Sequence, residues 1–350
     1  MFFLDKILST STLITLVSCG LVFGLSACGA SVGVQSPAKD PSEQNRISFR
    51  RISDDSISPQ DSISTVCLTN SGKYFATTSV YGTLMRFDPR LNNWQRVDSL
   101  DAQNRRLLSV FFRNDPTGFV TGEYGSLFRS KDDGETWEVI KRFTDLDLGK
   151  ITFASQSDGY LSGEKAIVDK QTGALHYELK LFRTKDAGSS WKEVYSNNNA
   201  PGAVFSMVAG TAETCIVVVG GKTIMRTQDG GNSWQLSDLE QQPNAVSRDP
   251  NGLTWLAGNK GFMVSADDGL TWHQPDGVQP VPDDCKWTDI DMSRPGYGFA
   301  VSEEGCIAMT RDDKNWQMPD QLRDHLGIVV VADGQAVIWG QNGIYNAKLP

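Results

Sequence analysis

The stretch Arg129-Ser-Lys-Asp-Asp-Gly-Glu-Thr-Trp-Glu-Val139 returns along the chain in altered form. Arg183–Val194 reads RTKDAGSSWKEV, Arg226–Ser237 reads RTQDGGNSWQLS, and Val264–Pro275 reads VSADDGLTWHQP. The shared pattern is [S/T]-x-D-x-G-x-[T/S]-W. Its closing tryptophans are Trp137, Trp191, Trp234 and Trp272, with degenerate copies ending at Trp94 and Trp316. Successive gaps of 43, 54, 43, 38 and 44 residues are the period of a repeat architecture, in which each unit is one supersecondary element.

A second regularity precedes each copy: two apolar β runs separated by a Gly-containing or polar turn, as in GFVTGEYGSLFRS and CIVVVGGKTIMRT. The third copy is longer and contains DKQTGALHYELKL, whose Thr172-Gly173 reads as the tip of a protruding hairpin. A seventh run, QAVIWGQNGIYNAKLP, ends the chain without a tryptophan motif. The missing outer strand is found at the other end: RISFRRI, Arg46–Ile52, places Phe49 45 residues before Trp94. These runs predict an all-β protein, a seven-bladed β-propeller with four-stranded antiparallel blades. The ring is closed by an N-terminal strand, which removes the open sheet edge. Six or eight blades are the alternatives.

Each residue type in the pattern suits a hairpin turn. Asp132, Asp186, Asp229 and Asp267 can accept backbone N–H groups. Gly134, Gly188, Gly231 and Gly269 permit positive φ. The tryptophans enter the outer strand and pack between neighbouring sheets. A calcium loop needs more oxygen ligands at alternating positions than this pattern offers. The turns are therefore read as architecture.

Function is then expected on the opposite face, where the turns between second and third strands and the links between blades lie. The turns supply Tyr81, Glu123, Tyr124, Glu164, Lys165, Lys222, Asn259, Lys260, Glu303, Glu304, Gln341 and Asn342. The links supply Arg105, Arg106, Lys141, Arg142, Gln241, Asp283 and Asp284. Together they form a ring of mixed charge suited to docking a partner. Arg86, Arg129, Arg183 and Arg226 recur just before the motif and form a band on adjacent outer strands. Two readings of the band stay open: pairing with neighbouring acids such as Asp132 and Asp133, or recognition of a partner's carboxylates.

The chain has 350 residues, 33 of them glycine and 9 tryptophan, and a formal charge of −9. That charge disfavours a general nucleic-acid binder. The amino terminus carries Lys6, an apolar run from Ile7 to Leu25, and Leu25-Ser26-Ala27-Cys28. Residues 1–27 read as a signal peptide, 28–44 as a flexible tether and 45–350 as the propeller. The Leu25–Cys28 element resembles the lipobox of bacterial lipoproteins, which implies acylation of Cys28, export, and attachment to a bilayer facing the periplasm, lumen or cell surface. The expected partners are a bilayer and a membrane protein or protein complex, with a glycan possible. Cys67, Cys215, Cys285 and Cys306 remain in the domain; four buried thiols are favoured over a Cys285–Cys306 pair.

No cofactor is indicated. His176, His273 and His325 lack metal-ligand spacing, and Gly220-Gly-Lys-Thr223 lacks the first glycine of a P-loop. The tryptophan motif resembles the Asp-box, or bacterial neuraminidase repeat. Sialidases of that group begin their arginine cluster with F-R-I-P. Here Phe49-Arg50-Arg51-Ile52 lacks that order and the proline, and no matching Arg or Glu is recognisable around Tyr345, so no catalytic residues are expected; a sialidase-like glycoside hydrolase or a glycan-binding surface module is the alternative reading. The rhythm of SVFFRNDPTGFVTGEYGSLFRSKDDGETWEVI, Ser109–Ile140, is similar to a blade of the photosystem II assembly and stability factor family. That resemblance implies a lipid-anchored, non-enzymatic scaffold with an arginine patch, carried here by Arg86, Arg129, Arg183 and Arg226.

Overall fold

In a computed structural model the chain is described over residues 49–52, 63–78, 82–88, 93–97, 100, 105–140, 142–275, 284–318, 321–332 and 335–348. The signal peptide, Cys28 and the tether lie outside these residues, as do Tyr81, Lys141 and Asp283.

Seven antiparallel sheets follow one another along the chain. Blade 1 comprises Ile63–Leu68, Tyr74–Thr78, Leu84–Asp88 and Asn93–Arg96; blade 2 comprises Leu107–Phe112, Gly118–Gly122, Ser126–Ser130 and Glu138–Val139. Blade 3 is the enlarged one, with Asp147–Phe153, Gly159–Val168, Leu175–Thr184 and Lys192–Ala200. Blade 4 runs through Val204–Ala209, Cys215–Val219, Thr223–Thr227 and Gln235–Asp238; blade 5 holds Pro243–Arg248, Thr254–Gly258 and Gly261–Ser265. Blade 6 contains Trp287–Arg294, Tyr297–Ser302, Ile307–Thr310 and Trp316–Gln317; blade 7 has Leu326–Ala332, Gln335–Gly340 and Gly343–Lys348.

Closure is by the amino-terminal strand. Phe49–Ile52 lies antiparallel to Gly343–Lys348, with Phe49 opposite Ala347 and Ile52 opposite Ile344. One departure from four strands occurs in blade 5. Among the described residues its outer strand is a single bridge between Val264 and His273. Pro275, two residues on, has no N–H with which to continue the ladder.

Second strands such as Tyr74–Thr78, Gly118–Gly122 and Cys215–Val219 are buried along their whole length. Both faces of each blade are covered by neighbouring blades, so these strands read as continuous apolar runs. Seven apolar clusters result, one at each blade junction. Phe75, Leu84 and Phe112 join blades 1 and 2. Tyr74 and Trp94 meet Val337 and Trp339, and so seal blade 7 to blade 1. At about 1.5–3 kcal/mol for each large apolar side chain fully buried, these junctions dominate the ring's stability.

The first strands pack side by side around the axis. Their inner edges would carry unpaired backbone N–H groups, and the preceding blade supplies acceptors for many of them. Thr65 Oγ1 accepts from Val110, Ser206 Oγ from Val246, and Ser247 Oγ from Met292, at 2.9–3.1 Å. Asp289 and Asp291 accept from Val329 and Val331 at 3.0 and 2.8 Å.

The cysteine expectation needs correction at one pair. Cys285 and Cys306 form a disulfide, with Cα atoms 6.0 Å apart. The link entering blade 6 lies over the start of that blade's third strand, which brings two distant positions within bonding reach. Cys67 and Cys215 are free thiols. Burial pushes Cys67 up to about 11 and raises Cys215 further.

Candidate functional site at the mouth of the ring

The repeated turn is a closed hydrogen-bond unit. In blade 2, Ser130 Oγ donates to Asp132 Oδ1 at 2.8 Å and accepts the Gly134 N–H at 2.8 Å. Asp132 in turn accepts the N–H and hydroxyl of Thr136 at 2.9 and 2.5 Å. The units at Asp186, Asp229 and Asp267 repeat these contacts. Gly134, Gly188, Gly231 and Gly269 have φ of 78 to 85°. Hydrogen bonds from Ser233 and Thr271 hold the Asp229 and Asp267 carboxyls at about 2. At Asp132 and Asp186 burial acts upward but is outweighed by the same bonds, so both lie below the ordinary aspartate value. The tryptophans lie between sheets. Trp137 of blade 2 meets Phe75 of blade 1 edge-on at 6.1 Å, and Trp234 of blade 4 donates to Val194 O of blade 3 at 3.2 Å. Trp191 packs into the junction of blades 2 and 3, and Trp272 into that of blades 4 and 5.

Each arginine of the band reaches forward to the Asp-box turn of the next blade. Arg86 pairs with Glu135 at 2.7 Å, and Arg129 bonds Ser189 Oγ at 3.1 Å as well as Glu138 at 2.8 Å. Arg183 donates to Gly230 O at 2.9 Å and Ala212 O at 2.8 Å, and pairs with Glu213 and Asp158. Arg226 donates to Asp267 O and Asp268 O, both at 3.3 Å. Arg183 and Arg226 are only 6% exposed, whereas Arg86 and Arg129 keep partial exposure. The guanidinium groups thus stitch blade to blade.

On the opposite face the residues are freer. Tyr124 stands 55% exposed on a tight turn with φ of 53°. Glu123 beside it is held by Arg106 at 2.6 Å. Lys222 and Lys260 are exposed at the turns of blades 4 and 5. Glu164 and Lys165, expected at a turn tip, instead lie within the long strand Gly159–Val168. The hairpin continues past them to a tip where Asp169 Oδ1 accepts the N–H groups of Gln171 and Thr172 at 2.8 and 2.7 Å. Lys165 faces solvent, while Glu164 turns inward.

Between blades 3 and 6 this face opens into a cavity of about 500 Å³, lined by Lys150, Val204, Phe205, Gln242, Asn244, Asn259, Lys286, Thr288 and Glu303. Phe205 is 42% exposed there. Lys150 comes from the first strand of blade 3, where side chains alternate toward the axis. Burial lowers its pKa, and the charges of Glu164 and Asp289 only partly restore it. Burial likewise pushes both Glu164 and Asp289 up to about 7. The ring of turns pointed to this face. Lys150, Phe205 and Asp289 were missed, and the one signal was a charge or aromatic in a run otherwise suited to an inner strand.

Tyr345, the residue a sialidase reading would examine, donates to Asp324 at 2.8 Å. Burial and that bond push its phenol up to about 12, against the need of a nucleophile. Asp324 is also spent on the His325 and Asn342 N–H groups. Among the described residues no His, Cys, Asp or Glu cluster gathers as a metal site, and no helix is long and apolar enough to cross a membrane.

A family model described as Photosynthesis system II assembly factor YCF48 matches residues 19–172. The Photosystem II assembly protein Ycf48 of a Synechococcus strain is 25% identical over 245 residues, which cover 67% of this chain and 67% of that protein. The Photosystem II assembly lipoprotein Ycf48 of Prochlorococcus marinus is 25% identical over 272 residues, covering 64% and 77%. A solved structure of YCF48 bound to D1 peptide superposes with a TM-score of 0.64 at 17% identity, covering 87% of this chain and 96% of that one. In sequence and in its seven-bladed ring, the chain resembles the photosystem II assembly factor propellers.

Proposed function

We propose that the protein is a non-enzymatic, lipid-anchored assembly factor that binds a segment of a membrane protein, of the kind found in photosystem II, at the mouth of its ring. The observation that carries this reading is the similarity to Ycf48 assembly proteins over two thirds of the chain. The division of labour between the faces supports it. Asp-box turns and the arginine band spend their polar groups on one another. The mouth keeps an open cavity and exposed Tyr124, Lys165, Lys222 and Lys260, which are the contact residues in this reading. Arg86 and Arg129 lie on the third strands of blades 1 and 2, one strand in from the outer edge expected from the sequence, and are secondary contacts. Acylation at Cys28, with residues 28–44 as tether, holds the ring near its partner. Relatives named as assembly factors argue for binding over catalysis.

The test is a crosslinking pull-down from detergent-solubilised membranes, with the full chain and Cys28 intact. A membrane-complex subunit should be captured, and Tyr124→Ala with Lys222→Glu and Lys260→Glu should reduce its yield at least fivefold. Equal yield from the triple variant would place the partner elsewhere. Absence of any membrane subunit from the wild-type eluate would refute the function.

A further inference from the structure

Lys150, Lys286 and Glu303 are the ionisable groups that line the cavity, and the charges of Glu164 and Asp289 act on Lys150. Asp289 is engaged: it accepts the Val329 N–H at 3.0 Å and ties blade 6 to blade 7. Glu164 is engaged as well. It accepts from Ser162 Oγ at 3.1 Å and from the Val204 N–H, and ties blade 3 to blade 4. Both carboxylates belong to the lattice of bonds that joins inner strands. Lys150 has no such duty. Its backbone N–H bonds Ser162 Oγ at 2.8 Å, but its ammonium forms no hydrogen bond or ion pair with any described residue. The side chain is surrounded by protein and still touches the solvent of the cavity.

An ammonium withdrawn from water and left without a bonded counter-ion costs free energy in the unliganded protein. The surroundings also fit an incoming chain. Phe205 offers an exposed aromatic face, while Asn244, Asn259 and Thr288 offer amide and hydroxyl groups at the wall. Few precisely placed polar groups beside an aromatic surface is the usual make-up of a recognition pocket.

We infer that the mouth cavity is a carboxylate-recognition site, in which Lys150 receives an acidic group presented by a peptide segment lying against Phe205. The inference rests on the partner-binding reading above and deepens it by naming the chemistry recognised. The carboxylate comes either from a side chain or from a chain terminus. The other groups that face the site set its pH dependence. Lys286 and Glu303 line the cavity with Lys150, Asp147 adds negative charge beside Glu164, and Asp291 does so beside Asp289. Protonation of Glu164 and Asp289 below about 7 removes charge that competes with the ligand. Binding therefore tightens as pH falls from 8 to 6.

Three fluorescein-labelled heptapeptides test this by anisotropy on the intact propeller. One carries a single phenylalanine and a single glutamate and is capped at both ends. The second is its glutamine analogue, also capped. The third is the glutamine analogue with a free carboxyl terminus. At pH 6 the first or the third should bind at least tenfold more tightly than the second, and which one does so identifies the source of the carboxylate. The advantage should shrink at pH 8 and vanish in Lys150→Met. That variant should melt no lower than wild type, because it removes an unpaired buried charge. Equal binding of all three peptides overturns the inference, as does a preference that survives Lys150→Met or a lowered melting point in that variant. In the membrane pull-down, capture that persists while the peptide preference is absent sinks this inference alone; loss of capture by the wild-type chain sinks the reading beneath it.

Discussion

Gly134→Ala is the sharpest test of the claim that the repeated turn is a packing device. Gly134 sits at φ of 80°, and a Cβ added there would lie 2.2 Å from Phe75 Cζ of the preceding blade. Phe75 is itself fully buried and lies tilted against Phe112 with ring centroids 4.9 Å apart, so it has no free direction in which to move. Two costs add. The left-handed conformation costs an alanine about 1–2 kcal/mol. Overpacking a dense junction adds about 1–3 kcal/mol. The expected loss is thus about 2–5 kcal/mol. Gly173→Ala supplies the control: its φ is 71°, yet nothing lies within 4 Å of the added carbon. It should lose only about 1–2 kcal/mol, since only the backbone term remains. The assay is equilibrium urea unfolding, followed by tryptophan fluorescence and circular dichroism with coincident transitions. If the two variants unfold within about 0.5 kcal/mol of each other, well inside the overpacking cost, the turn does not wedge against the neighbouring blade and the reasoning fails.

Other expectations follow from the same contacts. Cys285→Ser with Cys306→Ser opens a loop whose ends are 21 residues apart; the chain-entropy relation gives a loss of about 3 kcal/mol, measurable as a lowered urea midpoint. Arg183→Met should destabilise by about 2–4 kcal/mol, because it strands Asp158 and two carbonyls at a buried site, with the exposed Glu213 contributing little; Arg129→Met, at a more open site, should lose less than about 1 kcal/mol. Asp229, Asp267 and Asp312 have folded-state values of about 2, depressed from 3.8, so their contribution is present above about 4 and lost as pH falls toward 2. Glu164 and Asp289 act in the other direction: their values are raised to about 7, so stability falls as pH climbs from about 4 to 7, and Glu164→Gln with Asp289→Asn should flatten that limb of a melting-temperature profile.

The ring was legible in the sequence because its signal is periodic. Tryptophans at blade spacing marked the outer strands, and Phe49 at one period before Trp94 announced the closing strand that pairs with Gly343–Lys348. The shortened fourth strand of blade 5 was less visible, since the Trp272 motif is intact and only Pro275 disturbs it. The disulfide was hidden for a different reason: pairing depends on how a link crosses a strand, and spacing alone does not report it. The cavity was half legible. Turn residues such as Tyr124 and Lys260 could be placed from topology on the face that carries the cavity. Lys150 and Asp289 come from separate blades, and nothing local tells that their charges act on one another. Glu164 was displaced from its expected turn because extra residues lengthened both strands of its hairpin.

The closing strand has a mechanical consequence. The first described strand begins at Phe49, at the Asp-box end, and is only four residues long. Tension arriving through the amino-terminal segment therefore meets the Phe49–Ala347 rung before any other, and peels the seam one rung at a time toward Ile52 and Ile344. Blade 7 then loses its outer strand while its other three stay paired. A propeller held by its amino terminus is thus attached through the fastener of its own ring, and a sustained pull tests that seam before it tests any other blade.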